Sequence, residues 1–399
     1  MDISEVFDTS RTLVNATSLE KKRYLYDKIA WDLPMICIKG ARGIGKTTIM
    51  LQRIKENYKN NKAVYVSLDN LYFSENRLMD LVSYHYKHGG THIFIDEVHR
   101  YPYNNWVQEL KNIYDSFPDY HIVFTGSSLL KIDMSVADLS RRCIFYNMHG
   151  MSFREYLSFE NIAEFDSVTL EDIFNNATEL CNNINKKIKP LQYFSEYLQN
   201  GYYPFYHKYE PMYKQALQQI INTIIETDLQ ITEKIETVTV NKFKRLLVIL
   251  SKMIPFTPNI TKLGQSIEAT RKQTYMMLNT LDKAALIRNL YSGKEELNQL
   301  NKPEKIYFEN TNFLFALTTN AEIGNVRETF FANQLSEGHQ LSFSGNGDFL
   351  IDNKYTIEVG GKNKSFEQIK DLPDSYLAID DTEYNSFNKI PLWLFGFLY

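Results

Sequence analysis

The sequence predicts an α/β fold with a parallel-sheet domain at the N-terminus, then a helical region and a small α+β domain. Five short apolar runs alternate with helix-forming segments between residues 34 and 148. Residues 160–252 show helical patterns, and residues 326–399 combine one helix with several short strands. Because strands that alternate with helices form parallel sheets covered on both faces, we expect a layered α/β domain first.

Composition and charge limit the class of protein. With 399 residues, 44% of them hydrophobic, the chain can bury more than one core, so two or three domains are the starting expectation. The net charge of −4 gives no overall attraction to nucleic acid or to a membrane surface. No apolar run approaches the roughly 18 residues that span a bilayer. Since Cys37, Cys143 and Cys181 have no metal-ligand spacing, we expect buried thiols in a cytoplasmic protein.

The strands of the first domain follow from the apolar runs in order. The first, at residues 34–39, leads through a glycine-rich turn into an amphipathic helix that starts near Lys46. Further strands are predicted at residues 63–69, 92–97, 121–128 and 143–148. Helical patterns begin at Met151, where Ser152 and Glu155 have the spacing of a capping box. We therefore end the first domain near residue 157.

The turn after the first strand fits the motif G-x-x-x-x-G-K-[ST] in its required context between a strand and a helix. In such a loop, successive backbone N–H groups and the helix N-terminus face the phosphates of a nucleotide. Lys46 is predicted to reach the β- and γ-phosphates of ATP, and the Thr47 hydroxyl to bind Mg²⁺. The nucleotide-binding residues predicted here are Gly40, Ala41, Arg42, Gly43, Ile44, Gly45, Lys46, Thr47 and Thr48.

Two carboxylates follow the buried strand at residues 92–95, at the sheet edge where ligands bind in such folds. Asp96 is predicted to hold Mg²⁺, and Glu97 to act as the general base that polarises the attacking water. In the next strand, Thr125, Ser127 or Ser128 is a candidate for a hydrogen bond to the γ-phosphate. A plain strand-to-loop turn is the alternative there.

Five motifs occur in one order: GARGIGKTT, FIDEVHRYPYNNW, FTGSS, DLSRR and GMSFREYL. Together they resemble the AAA-superfamily ATPases of bacteria and archaea that carry an uncharacterised C-terminal region. The resemblance is strongest over residues 33–157 and implies an AAA-type P-loop core. It also implies that Arg141 or Arg142 completes a phosphate site as an arginine finger or sensor, within one chain or in a homo-oligomer. Ordinary surface charge is the alternative for both arginines.

Residues 259–291 read as a helix, a turn, a second helix and the start of a hairpin, which looks like a winged helix. The second helix begins with Arg271, Lys272 and Gln273, a position that in a winged helix can enter the DNA major groove. The positive excess is small, and winged helices also bind proteins. DNA binding and protein contact therefore both remain open.

The last segment resembles the restriction-endonuclease-like fold. The resemblance rests on Glu328 on a helix, Asp348 in GDFLI and Glu358 in YTIEVGGK, and it implies that an active member would present Asp348 and Glu358 for a metal. Gly360 stands where an active member has a lysine, and the nearest lysine in sequence is Lys362. We therefore expect a binding or structural domain without nuclease activity.

These observations predict four domains: an ATPase domain at 1–157, a helical region at 158–252, a winged helix at 253–322 and a nuclease-like domain at 323–399. The predicted function is an ATP-driven switch or remodeller of a protein or nucleic-acid partner, with ATP and Mg²⁺ as cofactors. Two alternatives stand beside it: an ATP-controlled nuclease, and a nucleotide-gated binding module with negligible turnover.

Overall fold

The computed structural model describes residues 2–103, 105–126, 139, 141–230, 235–253, 257–292 and 302–399. The chain forms two compact units. The first contains Met1–His149 and Asp228–Lys234, and the second contains Gly150–Thr227 and Ile235–Tyr399. Residues 150–157, which the sequence analysis placed in the ATPase domain, cluster with the second unit. The division of the second unit into three domains remains a prediction.

The first unit contains a five-stranded sheet in which every neighbouring pair is parallel, as predicted. Its strand order is β2-β3-β4-β1-β5. The strands are β1 (Met35–Gly40), β2 (Ala63–Ser67), β3 (His92–Asp96), β4 (His121–Gly126) and β5 (Ile144–Met148). All five predicted strands are therefore present, and β1, which leads into the glycine-rich loop, lies between β4 and β5.

Four helices of the first unit pack around this sheet, because each has an apolar stripe with helical spacing. They are α1 (Ile3–Ala16), α2 (Lys46–Asn57), α3 (Leu78–Lys87) and α4 (Trp106–Ser116). On one face of the sheet, alternate residues such as Cys37 and Ile95 join a core with Leu81 of α3 and Ile113 of α4. Because all five strands are parallel, their carboxyl ends lie at the same edge of the sheet. The functional residues lie at this edge.

The second unit begins with helices, as predicted. They are α5 (Phe153–Phe159), α6 (Leu170–Lys187), α7 (Pro190–Asn200), α8 (Tyr206–Tyr209), α9 (Tyr213–Thr223), α10 (Thr237–Ser251), α11 (Ile260–Ser266), α12 (Arg271–Lys283), α13 (Thr311–Leu317) and α14 (Ile323–Leu335). The predicted capping box is present at the start of α5, where the Ser152 hydroxyl accepts from the Glu155 N–H and the Glu155 carboxylate from the Ser152 N–H. A π-helical turn, Ile224–Asp228, follows α9.

The strands of the second unit form a hairpin and a mixed sheet. The antiparallel hairpin pairs β6 (Ile287–Leu290) with β7 (Lys305–Phe308). The sheet has the order β12-β11-β10-β9-β8 and is parallel only between β10, β11 and β12. Its strands are β8 (Leu341–Phe343), β9 (Phe349–Ile351), β10 (Tyr355–Gly360), β11 (Ser375–Ile379) and β12 (Lys389–Pro391).

Burial and helix length bear on two further expectations from the sequence. Cys37, Cys143 and Cys181 are buried free thiols, as expected. Tyr202 and Tyr203 are buried among aromatic side chains of the second unit. In the part of the chain that the structure describes, no helix is long and apolar enough to cross a membrane.

Candidate functional site

The glycine-rich loop links the end of β1 to the start of α2, and its glycines are required by geometry. Gly43 and Gly45 have φ angles of 86° and 105°, in the left-handed region that favours glycine. A Cβ on Gly40 would lie 2.3 Å from the carbonyl oxygen of Met148 on β5. The loop can therefore curl tightly at the N-terminus of α2, where backbone N–H groups are free of helical partners.

Lys46 lies inside this loop. Its Nζ donates to the carbonyl oxygens of Gly40 and Ala41, at 2.9 Å and 2.7 Å, and the residue is buried. Burial lowers the pKa of Lys46, and the nearby carboxylates of Glu97 and Asp96 oppose that change. The structure thus places the Lys46 ammonium where the motif predicts a cation. The loop that holds this ammonium is the one predicted to bind the phosphates.

Arg23 supports the loop from outside the motif. It is buried, its Nη1 donates to the carbonyl oxygen of Ile44, and its Nη2 donates to that of His149 at 2.7 Å. Sequence reasoning missed this residue, because it precedes β1 in a segment with no motif. Arg23 directly follows Glu20, Lys21 and Lys22, so no signal in the sequence separates it from the charged residues beside it.

Asp96 is fixed by three hydroxyl groups. Thr47 Oγ1 and Tyr65 Oη donate to Oδ2, at 2.5 Å and 3.0 Å, and Thr125 Oγ1 donates to Oδ1. Thr125, which we considered as a phosphate contact, therefore binds the carboxylate instead. Since Mg²⁺ at nucleotide sites takes few protein oxygens and the rest from phosphate and water, Thr47 and Asp96 are a donor set that fits it.

Glu97 is held in an uncommon backbone conformation next to Asp96. Its φ is 54°, and its N–H is directed to Asp96 Oδ1 at 3.1 Å and to Thr125 Oγ1 at 3.2 Å. A left-handed glutamate costs on the order of 1 kcal/mol, and such strain is typical of functional sites. Burial raises the pKa of its carboxyl group. A mostly buried carboxylate at this edge is suited to accept a proton.

Three charged or titratable groups surround Glu97 that the sequence analysis did not find. His99 Nε2 lies 3.1 Å and Arg100 Nε 3.6 Å from Glu97 Oε2, although neither contact has hydrogen-bond geometry. Arg100 Nη2 donates to Asp228 Oδ1 at 2.9 Å, and Arg42 Nη1 to Asp228 Oδ2 at 3.4 Å. Burial lowers the pKa of His99 to about 4, so this imidazole is neutral at neutral pH.

The two candidate finger arginines lie at the opposite edge of the same sheet. Arg142 Nε and Nη2 donate to the Asp115 carboxylate near the end of α4, at 3.1 Å and 3.2 Å. Arg141 and Arg142 precede β5, whose other end, Met148, is paired with Gly40. A role for either arginine at the phosphate site of its own chain is therefore incompatible with its position. Ser127, the remaining predicted site residue, lies outside the described residues.

The acidic residues predicted in the last segment come together with two lysines in the second unit. Lys305 Nζ lies 3.0 Å from Glu328 and 2.7 Å from Asp348, and Lys364 Nζ lies 2.5 Å from Glu358. Lys364, and not Lys362, is thus the lysine at Glu358. Among the described residues, no group of three or more acidic, histidine or cysteine side chains has metal-binding geometry.

A parallel sheet with a glycine-rich loop, an ordered lysine and a hydroxyl–carboxylate pair at one edge defines a P-loop nucleotide-binding core. Comparison with known proteins specifies its type: residues 32–157 match a family model described as AAA domain. Residues 191–322 match a second model, described as a domain of unknown function (DUF8612). The first unit is therefore an AAA-type P-loop core.

Relatives of the whole chain are less informative. A curated relative, the uncharacterized protein MJ1637 of Methanocaldococcus jannaschii, is 26% identical over 88% of this chain and 82% of its own. A Thermotoga maritima RuvB variant has a TM-score of 0.30 at 14% identity, over 72% of this chain and 89% of its own. Katanin (16% identity) and C. elegans PCH-2 (19%) each have a TM-score of 0.25 over 43% of this chain. The matched parts are 61% of the katanin chain and 52% of the PCH-2 chain, less than two thirds of either.

Proposed function

We propose that this protein is a Mg²⁺-dependent ATPase that works as a molecular switch or remodeller of a partner. The observation that carries the proposal is the 2.5 Å hydrogen bond from Thr47 Oγ1 to Asp96 Oδ2. A hydroxyl from the P-loop and a carboxylate from the neighbouring strand meet there, with Asp96 fixed by Tyr65 and Thr125. Oxygen ligands preorganised in this way are what a magnesium–nucleotide complex requires.

Each residue has a distinct task in the proposed reaction. Backbone N–H groups of the loop and the N-terminus of α2 bind the phosphates, and Lys46 exchanges its two carbonyl contacts for phosphate oxygens. Thr47 and Asp96 hold Mg²⁺, which supplies charge neutralisation at the phosphates when bound. Glu97 accepts the proton of the attacking water. Its raised pKa brings it closer to neutral pH, which favours proton acceptance.

The position of Arg141 and Arg142 supports an oligomeric enzyme. An arginine at the far edge of its own sheet can reach a phosphate only when a second copy presents its P-loop edge to it. Such a contact joins different surfaces of two copies, which generates a ring or a filament. We propose that one of these arginines acts in a neighbouring subunit.

Two variants test the ATPase proposal. Lys46→Ala should abolish ATP binding, because it removes the cation of the loop, whereas Glu97→Gln should bind ATP and hydrolyse it at least a hundredfold more slowly. Binding is measured by calorimetry and turnover by phosphate release. Glu109→Gln, which alters a buried glutamate on α4, is the matched control and should leave both measurements unchanged. Wild-type turnover by Glu97→Gln would refute the assignment of the base.

DNA is a second candidate for the partner, on one observation. Helices α10, α11 and α12 with the β6–β7 hairpin have the element order of a winged helix, and Arg271, Lys272 and Gln273 are exposed in the first turn of α12. Binding of duplex DNA that weakens in Arg271→Ala and Lys272→Ala, but not in Lys283→Ala at the other end of the helix, would support it. A protein captured by ATP-bound Glu97→Gln would favour a protein partner instead.

One observation in the second unit supports phosphodiester cleavage and another opposes it. A Cβ on Gly360 would lie 2.7 Å from Cβ of Lys364, so the Lys364 stem occupies the space of the missing side chain. Lys305 argues against cleavage, because its ammonium is paired with Glu328 and with Asp348, and Asp348 is one of the two carboxylates that an active member would present for a metal. We therefore propose a domain that binds and does not cut.

A further inference from the structure

Asp228 is the most deeply buried charged residue that contacts the nucleotide site, and no motif accounts for it. Its side chain is 2% exposed, and it ends the π-helical turn Ile224–Asp228. Such turns inside helical segments are often found at functional sites. Residues 228–234 belong to the first unit, although the residues before and after them belong to the second. A short segment from the helical half of the chain thus supplies a carboxylate to the ATPase unit.

The two carboxylate oxygens of Asp228 bind two different arginines. Oδ1 accepts from Arg100, at 2.9 Å, and Oδ2 from Arg42, at 3.4 Å. Arg42 is part of the P-loop, and Arg100 follows Glu97 by one turn. These are the two chain segments that enclose the phosphates in the proposed function. One carboxylate therefore connects the phosphate-binding loop with the segment that carries the base.

A purely structural ion pair is a poor explanation of this arrangement. Burying a carboxylate is costly, and a paired charge repays that cost only where the geometry is good and the remaining lone pairs are satisfied. Several polar atoms around Asp228 also lack hydrogen-bond partners among the described residues. Both ring nitrogens of the buried His99 and Arg100 Nε have no hydrogen-bond partner among the described residues, and His99 lies 4.0 Å from Asp228. Polar groups left without partners beside a site are groups that a ligand or water can use.

We propose that Asp228 is a positioning residue of the ATPase site, which holds Arg42 and Arg100 and competes with bound phosphate for them. This inference rests on the proposed ATP binding and hydrolysis. Through Arg100, 3.6 Å from Glu97, the same carboxylate restrains the base.

The proposal predicts opposite effects on binding and turnover. In Asp228→Asn, a negative charge that attracts both arginines is removed, so the nucleotide should bind about three- to tenfold more tightly. Arg100 and Glu97 lose their restraint, so kcat should fall by about tenfold. A residue that only stabilises the fold would, when altered, weaken binding and turnover together.

The experiment measures the Kd for MgATP by calorimetry and kcat by phosphate release, in the full-length chain. Asp69→Asn is the matched control, since Asp69 is an exposed carboxylate 3.9 Å from the same Arg100. It should leave Kd and kcat within about twofold of wild type. Asp228→Glu keeps the charge but displaces it, so it should keep the wild-type Kd and lower kcat.

The outcomes separate this inference from the function on which it rests. Wild-type protein that binds no ATP would overturn both. Wild-type protein that binds and hydrolyses ATP, with weaker binding or unchanged kcat in Asp228→Asn, would overturn the role of Asp228 alone. If Asp228→Asn does not fold, as thermal denaturation would reveal, Asp228→Glu decides: an unchanged kcat or a weakened Kd overturns the proposal.

Discussion

If a neighbouring subunit supplies the arginine finger, hydrolysis should depend on contact between subunits. The geometry of the parallel sheet shows why the arginine of the same chain cannot serve. Met148 at the end of β5 is paired with Gly40 at the start of the P-loop, and Arg142 precedes Met148 by six residues. At about 3.3 Å per residue, Arg142 lies roughly 20 Å from the P-loop edge of its own sheet. An arginine side chain is far too short to cover that distance. Any contribution of Arg142 to hydrolysis must therefore come from another copy.

Complementation between two inactive variants tests this. Glu97→Gln keeps its arginines but lacks the base, and Arg142→Ala keeps the base but lacks the finger. In a one-to-one mixture that exchanges subunits, a site works when an Arg142→Ala subunit faces a Glu97→Gln subunit. Random assembly makes about a quarter of sites productive whatever the size of the ring. Phosphate release should therefore recover to about a quarter of the wild-type rate, against a loss of about a thousandfold or more in Arg142→Ala alone.

The assay follows phosphate release during mixing and over serial dilution. Arg141→Ala in place of Arg142→Ala identifies which arginine acts, and Asp115→Asn shows whether release of Arg142 from its ion pair alters the rate. Activity per chain should fall on dilution as subunits separate. Absence of recovery with both arginine variants, or wild-type rates in each of them alone, would refute a finger in trans.

Three further outcomes are expected. Gly40→Ala should abolish nucleotide binding and lower the free energy of unfolding by about 1–3 kcal/mol, because the new Cβ would collide with a backbone oxygen. Gly324→Ala is the control, since no atom lies within 4 Å of its new Cβ, and it should change neither property. Thermal denaturation compares the stability of the two variants. Burial raises the pKa of Asp282 from 3.8 to about 7, so its stabilising contribution is present below about pH 4 and is lost as pH rises through about 7. Because this carboxylate is partly exposed, Asp282→Asn should be more stable than wild type by only on the order of 1 kcal/mol at pH 8, and by less at pH 4, in calorimetric scans. Purified protein with Mg²⁺ or Mn²⁺ and ATP should leave single- and double-stranded DNA intact; cleavage that disappears in Glu358→Gln would contradict this.

The elements of the first unit could be predicted because their signals are local. Each buried parallel strand is a short apolar run, and the P-loop is a contiguous motif whose glycines are needed at particular backbone angles. Asp96 and Glu97 could be proposed as site residues for the same reason, since they stand at the end of a buried strand. These residues are close to the P-loop or to a strand end both in the sequence and in the folded chain.

The residues that hold the site in place could not be found in this way. Arg23 reaches the loop from before the first strand, and Asp228 is separated from Arg42 by 186 residues. A single aspartate in a helical segment has no pattern that distinguishes it from a solvated one. Its function depends on burial and on two arginines that only the folded chain brings near. The sequence also could not reveal the hydrogen bond from Thr125 to Asp96, because it shows the strand position of Thr125 and not its partner.

The C-terminal lysines show where an argument from spacing fails. Counting from Glu358 correctly identified Gly360 as lacking a side chain, but a turn closed by the hydrogen bond from the Lys364 N–H to the Gly361 carbonyl oxygen returns Lys364 to the same place. The loss of a lysine from the motif is therefore not evidence against catalysis. The evidence lies in Lys305 from β7, whose pKa the carboxylates of Glu328 and Asp348 raise against the effect of burial, so that it stays charged. A divalent cation placed between those two carboxylates would meet an ammonium group within about 4 Å, a repulsion that a partly buried site screens poorly. An ion could bind there only if Lys305 moved away, so we expect the position of this lysine, and not the missing one, to decide whether these carboxylates can hold a metal.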